Sequence, residues 1–322
     1  MLNHTFTWNG HSSDEFGIKI ERFPGLNRPA RKYTASNVPG RNGNLYELQD
    51  AWEEVIQSYE IYAGGQSKNS PQDFMRIMEW LSEPNGYAVL TDSYDVDHYR
   101  EAVFVDAMDI ANSWNRYGRA VVTFRCRPER FLSSGQTVQI DFTDTTLIGY
   151  VNSWSLNIRE SAPSGTIIKI VYEGEVLRIL DSVVISSVGW YQVKTKDGTI
   201  GWCQSQYVTA YNAVIINNPT KHIAKPKIEL TMGDDLWLMV NRLLLTVTGT
   251  AYPLYIDCET ENITGINGIG ELDNYNKRAT ITDSDGNIVA DFLTLQPGEN
   301  YISAEESESV SDCTIEMRFW EL

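Results

Sequence analysis

The chain has 322 residues, 42% of them hydrophobic, with 26 basic against 43 acidic side chains and a net charge of −17. That length is too great for one small domain and suits two or three, each with enough apolar residues for its own core. The charge divides as −6 over residues 1–149, 0 over 150–211 and −11 over 212–322, and so acidic a last third argues against nucleic-acid sequence readout or an anionic membrane surface.

No apolar run approaches the ~20 residues needed to cross a bilayer, so membrane insertion is not expected. Met1-Leu2-Asn3-His4-Thr5 carries no charged-then-apolar leader, which predicts folding in a reducing cytoplasm. Cys126, Cys203, Cys258 and Cys313 lie far apart with no Cys-x-x-Cys pair, and the four histidines are equally scattered. Buried free thiols are expected rather than a zinc site, and no metal or cofactor is called for. Gly-x-Ser-x-Gly, His-Glu-x-x-His and a His beside a Cys are all missing, so no catalytic residue is nominated.

The chain opens with a strand at Phe6-Thr7-Trp8, a turn at Asn9-Gly10, and a second strand in which Ile18 and Ile20 alternate. Arg31–Val38 reads as a strand, and Ser58–Tyr62 as the next after a short acidic link. Between them Pro39-Gly40 fits the centre of a type II turn, and Asn42-Gly43 fits a type I′ hairpin turn. Arg41 is then an exposed basic tip. The one convincing helix starts at Ser70 as N-cap with Pro71 at N1, and ends at Pro84-Asn85-Gly86. Phe74, Ile77, Met78 and Leu81 give it one apolar face. Further strands are expected at 87–91, 101–105 and 118–126, and Pro128 stops the last of these. Residues 1 to about 132 thus read as an antiparallel sheet or sandwich with one packed helix.

This order, with Phe-x-Trp-Asn-Gly at 6–10, Val-Pro-Gly-Arg-Asn-Gly at 38–43 and Cys-Arg-Pro-Glu-Arg at 126–130, resembles the N-terminal domain of phage distal tail proteins. These are Dit-type hub components of long, non-contractile tails that infect Gram-positive bacteria. The resemblance implies a six-fold ring of side-by-side protomers between the tail tube and the tip proteins.

Residues 150–211 change texture. Short strands at Ile167–Tyr172, Glu175–Leu180, Gly189–Thr195 and Ile200–Cys203, with a turn at Asp197-Gly198, imply a small barrel. The frame Leu-Asn-Ile-Arg, Gly-Trp-Tyr-x-Val-Lys, Gly-Trp-Cys and Tyr-Val closely resembles bacterial SH3 domains, which often contact peptidoglycan. Trp190, Tyr191, Trp202 and Tyr207 either fill the barrel core or form a sugar- or peptide-facing groove. Asn157 and Arg159 join that candidate groove through the resemblance alone.

Residues 212–322 read as an all-β sandwich. Strands are expected at 227–231, 236–240, 242–247 and 253–257, and 279–282 pairs with 288–292 across the tip Asp283–Asn287. The closing strand is Cys313–Trp320. Asp283-x-Asp285-Gly286-Asn287 superficially matches a calcium loop but lacks the Glu at position 12 and the flanking helices, so a solvated tip is expected. The acidic run Glu305-Glu306-x-Glu308 reads as a solvated loop. The frame, with Phe-Leu-x-Leu-x-Pro-Gly-x-Asn-x-Ile at 292–302, resembles the galectin-like C-terminal domain of the same tail family. No lectin-like cluster of His, Asn, Arg and Trp accompanies it, and a scaffold role is expected.

The fold class is therefore mainly β: an N-terminal sheet domain with one helix over 1–149, an SH3-like barrel over 150–211 and a galectin-like sandwich over 212–322. The resemblance implies a tail-tip component of a phage or prophage-derived virion, assembled in the bacterial cytoplasm. Its implied partners are copies of itself in a hexameric ring, the tail tube protein, a tail tip or tail-associated protein, and a receptor-binding protein or fibre. Peptidoglycan or another wall glycan would be met by the barrel. Arg41 is the candidate ring or tube contact. The alternatives are a modular wall- or glycan-binding adhesin without a ring, and a wall hydrolase, for which residues 1–132 offer no nominable catalytic group.

Overall fold

The computed structural model describes residues 4–25, 27–63, 70–105, 118–249, 251–267, 269–305 and 310–322. Glu306 and Glu308 of the acidic run lie outside them. The chain is mainly β, with one α-helix among the described residues, and it divides into two compact units, Met1–Gln136 with Phe319–Leu322, and Thr137–Arg318.

In the first unit an antiparallel sheet runs in the order His11–Ser12, Phe6–Trp8, Ala88–Asp92, His98–Val103, Arg119–Cys126, Val55–Ala63 and Ile18–Ile20. The helix, Pro71–Ser82, begins as the sequence predicts. Ser70 Oγ accepts from the Asp73 N–H, and the Asp73 carboxylate accepts from the Ser70 N–H, which satisfies two otherwise orphaned donors. Ile77 and Leu81 are buried in the core that also holds Phe6, Trp8, Tyr59 and Phe124, and Phe74 and Met78 pack against that core. Two tryptophans clamp helix to sheet reciprocally. Trp80 Nε1 donates to the Trp8 carbonyl at 3.1 Å, and Trp8 Nε1 donates at 3.2 Å to the carbonyl of Leu81 in the last helical turn, where carbonyls have no intrahelical partner.

The stretch around Arg41 departs from the sequence reading. The type II turn is present: the Arg41 N–H bonds the Val38 carbonyl at 3.1 Å, with Gly40 at φ +82°. Gly43 is also left-handed, at φ +80°, but Asn42 is not, so Asn42-Gly43 is no type I′ turn. Pro39-Gly40 has already reversed the chain, and one left-handed residue suffices to re-enter the sheet at Asn44. The supposed acidic link is itself a strand. Asn44–Trp52 pairs with Arg31–Asn37 in a two-stranded sheet of its own.

In the second unit, one six-stranded sheet orders Thr137–Ile140, Val310–Glu316, Lys227–Met232, Ala251–Asp257, Asn262–Ile266 and Leu272–Asn274. The facing sheet holds Val208–Asn218, Gly298–Glu305, Leu236–Val240, Leu243–Val247 and Ala279–Thr282. Alternating buried residues such as Ile228, Leu230, Leu236, Leu238, Leu254 and Ile302 form the sandwich core. The barrel is threaded into this second sheet. Its entry strand Thr146–Val151 pairs residue by residue with the exit strand, from Thr146↔Ala213 to Val151↔Val208. Entry and exit therefore form one ribbon, and the sandwich keeps its own strand pairing. The barrel core comprises Val151, Leu156, Ile158, Val171, Leu177, Ile179, Val193, Cys203 and Val208.

Two expected strands end differently. Beyond Asp283–Asn287 only the single bridge Thr282↔Ile288 forms, with Ile288 exposed, so no strand runs over 288–292. The strand expected over 313–320 stops at Glu316. Arg318, buried at φ +53° and bonded to Glu259 at 2.9 Å, redirects the chain. Trp320–Glu321 then pairs with Arg130–Leu132 in the first unit.

Candidate functional site

Two surfaces stand out. The first is the hairpin Arg31–Asn37/Asn44–Trp52. Its register sets Tyr33 opposite Leu48 and Ala35 opposite Tyr46, so these four residues share one face. Thr34, Ser36, Glu47 and Gln49 take the other. The apolar face is uncovered: Tyr33, Tyr46 and Leu48 are 56%, 60% and 61% exposed. The two tyrosine rings meet edge-on at 5.3 Å. An isolated two-stranded hairpin is marginal in water, and an uncovered apolar stripe marks a contact surface. Arg41 lies at the exposed tip. Sequence reading found the tip and missed the face, because the strand Asn44–Trp52 alternates only briefly between acidic residues.

The second surface is the outer face of the barrel. Leu156 and Ile158 point inward, so Asn157 and Arg159 point outward. Arg159 stands opposite Trp202, which stands opposite Gln192. Trp190 is on the same face but buried, and among the described residues its indole N–H has no hydrogen-bond partner. Arg159 also donates to the Gly165 carbonyl at 3.0 Å, which holds the adjoining loop. Tyr191 turns the other way and packs on the barrel core, while Tyr207 is half-exposed on the 3-10 turn Ser205–Tyr207. The structure thus brings Asn157, Arg159, Trp190 and Trp202 together and sets Tyr191 apart. Trp154, 83% exposed at the barrel entry, escaped the sequence reading because nothing in its spacing marks it.

The four cysteines are free and buried. Burial pushes the Cys126, Cys203 and Cys313 thiols up to about 12, so they stay protonated and poorly nucleophilic near neutrality. Among the described residues no group of three His, Cys, Asp or Glu side chains is placed to hold a metal ion. No helix among them is long and apolar enough to cross a membrane.

A helix-bearing sheet unit, joined to a sandwich that carries an inserted small barrel, is an architecture with known counterparts. The barrel matches the family model of bacterial SH3 domains over residues 154–209. The whole chain is similar to the crystal structure of the Dit protein of phage SPP1, described as a paradigm of the hub adsorption apparatus in phages infecting Gram-positive bacteria. The alignment covers 97% of this chain and 96% of that one at 10% identity, with a TM-score of 0.50. A chain of the phage p2 baseplate, in its activated conformation with strontium, aligns over 97% and 96% at 7% identity and a TM-score of 0.45. No curated protein is significantly similar in sequence. The fold is accordingly Dit-like, with a bacterial SH3 domain inserted in it.

Proposed function

We propose that the chain is a structural, non-enzymatic component of a phage or prophage-derived tail tip, one that assembles with its own copies into a ring, six-fold by analogy with its resemblance family. The observation that carries this reading is the uncovered apolar face of the hairpin, which needs a second surface to bury Tyr33, Tyr46 and Leu48. A neighbouring copy supplies that surface repeatedly and closes a ring. The Dit-like fold supports the assignment. In this reading the ring joins the tail tube protein to tip-associated or receptor-binding proteins, and Arg41 contacts the ring or tube. The outer barrel face, with Trp202 and Arg159, meets wall peptidoglycan.

Electron microscopy and light scattering of the purified chain test the reading. Rings are expected for the native chain, and folded monomers for Leu48→Asp or Tyr46→Asp. A native chain that stays monomeric at tail-like concentrations sinks it. A wall-binding adhesin without a ring is the second reading, favoured by the outward aromatics of the barrel. It would show as monomers that sediment with purified sacculi and lose that property on Trp202→Ala.

A further inference from the structure

A cavity of about 250 Å³ lies where the barrel's entry ribbon meets the outer face of the sandwich. Its floor follows from strand alternation. Leu236, Leu238 and Val240 point into the core, so Trp237 and Met239 point out. Met239 is flanked in register by Leu244 on one side and Ser303 on the other. The ribbon forms a wall. Tyr150 sits opposite Thr209 and meets Tyr211 edge-on, with ring centroids 5.7 Å apart. The Tyr150 hydroxyl donates to the Asn241 carbonyl at 2.5 Å, which fixes the ring.

The rim is polar. Arg242 lies against Gly174, where a Cβ would come within 2.5 Å of Nη1, and Gly174 is left-handed at φ +80°. Arg242 donates to Ser284 Oγ and has no ion-pair partner among the described residues. The Asp283 carboxylate accepts the Asp285 and Asn287 backbone N–H groups, each at 2.9 Å. Glu173 and Asp285 are exposed at the mouth, and among the described residues their carboxylates accept no hydrogen bond.

These features narrow the ligand. Three carboxylates against one guanidinium leave a locally negative rim, which repels phosphate and other anions. Flat rings at the floor and wall take a ligand with a C–H face, and unpaired donors and acceptors at the rim take hydroxyls. The volume falls below the ~300–1,000 Å³ of drug-sized pockets, so one or two rings fit. We propose that this cleft binds a neutral saccharide unit of the kind a wall glycan exposes. The site shares no residue with the outer barrel face or with the hairpin Arg31–Trp52.

Isothermal titration calorimetry of the full chain with chitotriose, lactose and maltotriose tests it, with choline chloride and inorganic phosphate as contrasting probes. The expected result is saturable binding of at least one neutral saccharide, weakened about tenfold or more by Trp237→Ala, as for an aromatic anchor. Arg242→Ala should weaken it as well, and Trp202→Ala should leave it unchanged. Circular dichroism confirms that each variant folds. Heat from choline or phosphate alone, no heat from any of the three sugars at millimolar concentration, or sugar binding that survives both Trp237→Ala and Arg242→Ala would overturn the proposal. So would binding lost on Trp202→Ala.

Discussion

The Cys-Arg-Pro-Glu-Arg segment shows what a sequence mark becomes once its side chains are placed. Arg130 grips Asp95 with two hydrogen bonds, Nε to Oδ2 at 2.7 Å and Nη2 to Oδ1 at 3.0 Å, and His98 Nδ1 lies 2.7 Å from the same carboxylate. Burial alone would raise the Asp95 pKa, but the bonds to Arg130 and His98 outweigh it and hold the group below its ordinary value. A carboxylate depressed on folding contributes stability above its unfolded pKa, and that stability is lost as pH falls through the folded value. Arg130→Met should therefore cost about 1–3 kcal/mol at neutral pH by leaving the part-buried Asp95 carboxylate with His98 but without its two guanidinium hydrogen bonds. The penalty should shrink toward pH ~3 as Asp95 takes up a proton. Urea titrations of both chains at the two pH values check this, and a penalty that does not change with pH would refute it. The motif was legible as a mark. Its work was not, because Asp95 is thirty-five residues away in sequence.

At the scale of elements, composition alone did not settle turn geometry. Asn9-Gly10 has type I′ composition with both residues left-handed, at φ +49° and +81°, and Trp8 paired to His11, whereas Asn42-Gly43 has the same composition without that geometry. A second two-residue turn with both residues left-handed, Ser186-Ser187 at φ +50° and +65°, contains neither Asn nor Gly. It joins Val176–Ile185 to Val188–Lys194, with Ile185 paired to Val188. Strand register across the barrel dictates the turn there, and serine tolerates it at a cost. Replacing the pair by Asn-Gly should stabilise the barrel by about 0.5–1 kcal/mol, since those residues populate the left-handed region readily. Denaturant midpoints followed through a barrel tryptophan read the change, and a lowered midpoint would show the turn to be constrained by something other than backbone strain. The helix was legible almost to the residue because its cap and its 3.6-residue apolar period agree. The end of the chain was not. A tetrapeptide that leaves the sandwich at Arg318 and joins Arg130–Leu132 carries no local pattern that could announce a distant pairing.

For the whole molecule, charge sets the terms on which copies meet. Each chain carries −17, so association brings like charges together and is opposed at low ionic strength. If copies assemble as proposed, two candidate contacts offset that opposition, the apolar hairpin face and the Arg41 tip, and salt acts on them in opposite directions. Screening shortens the reach of both repulsion and attraction to ~8 Å at physiological ionic strength and ~3 Å at 1 M, while burial of Tyr33, Tyr46 and Leu48 is not weakened by it. Rings held by the hairpin should therefore form more completely as salt is raised, and Arg41→Glu should reduce assembly at low salt with the deficit closing at high salt. Leu48→Asp should abolish rings at every salt concentration. Mass photometry across a salt series reads all three chains at once. If native rings instead dissolve as salt rises and Leu48→Asp assembles normally, Arg41 and its charge partner hold the ring, and the hairpin's apolar face awaits a different protein.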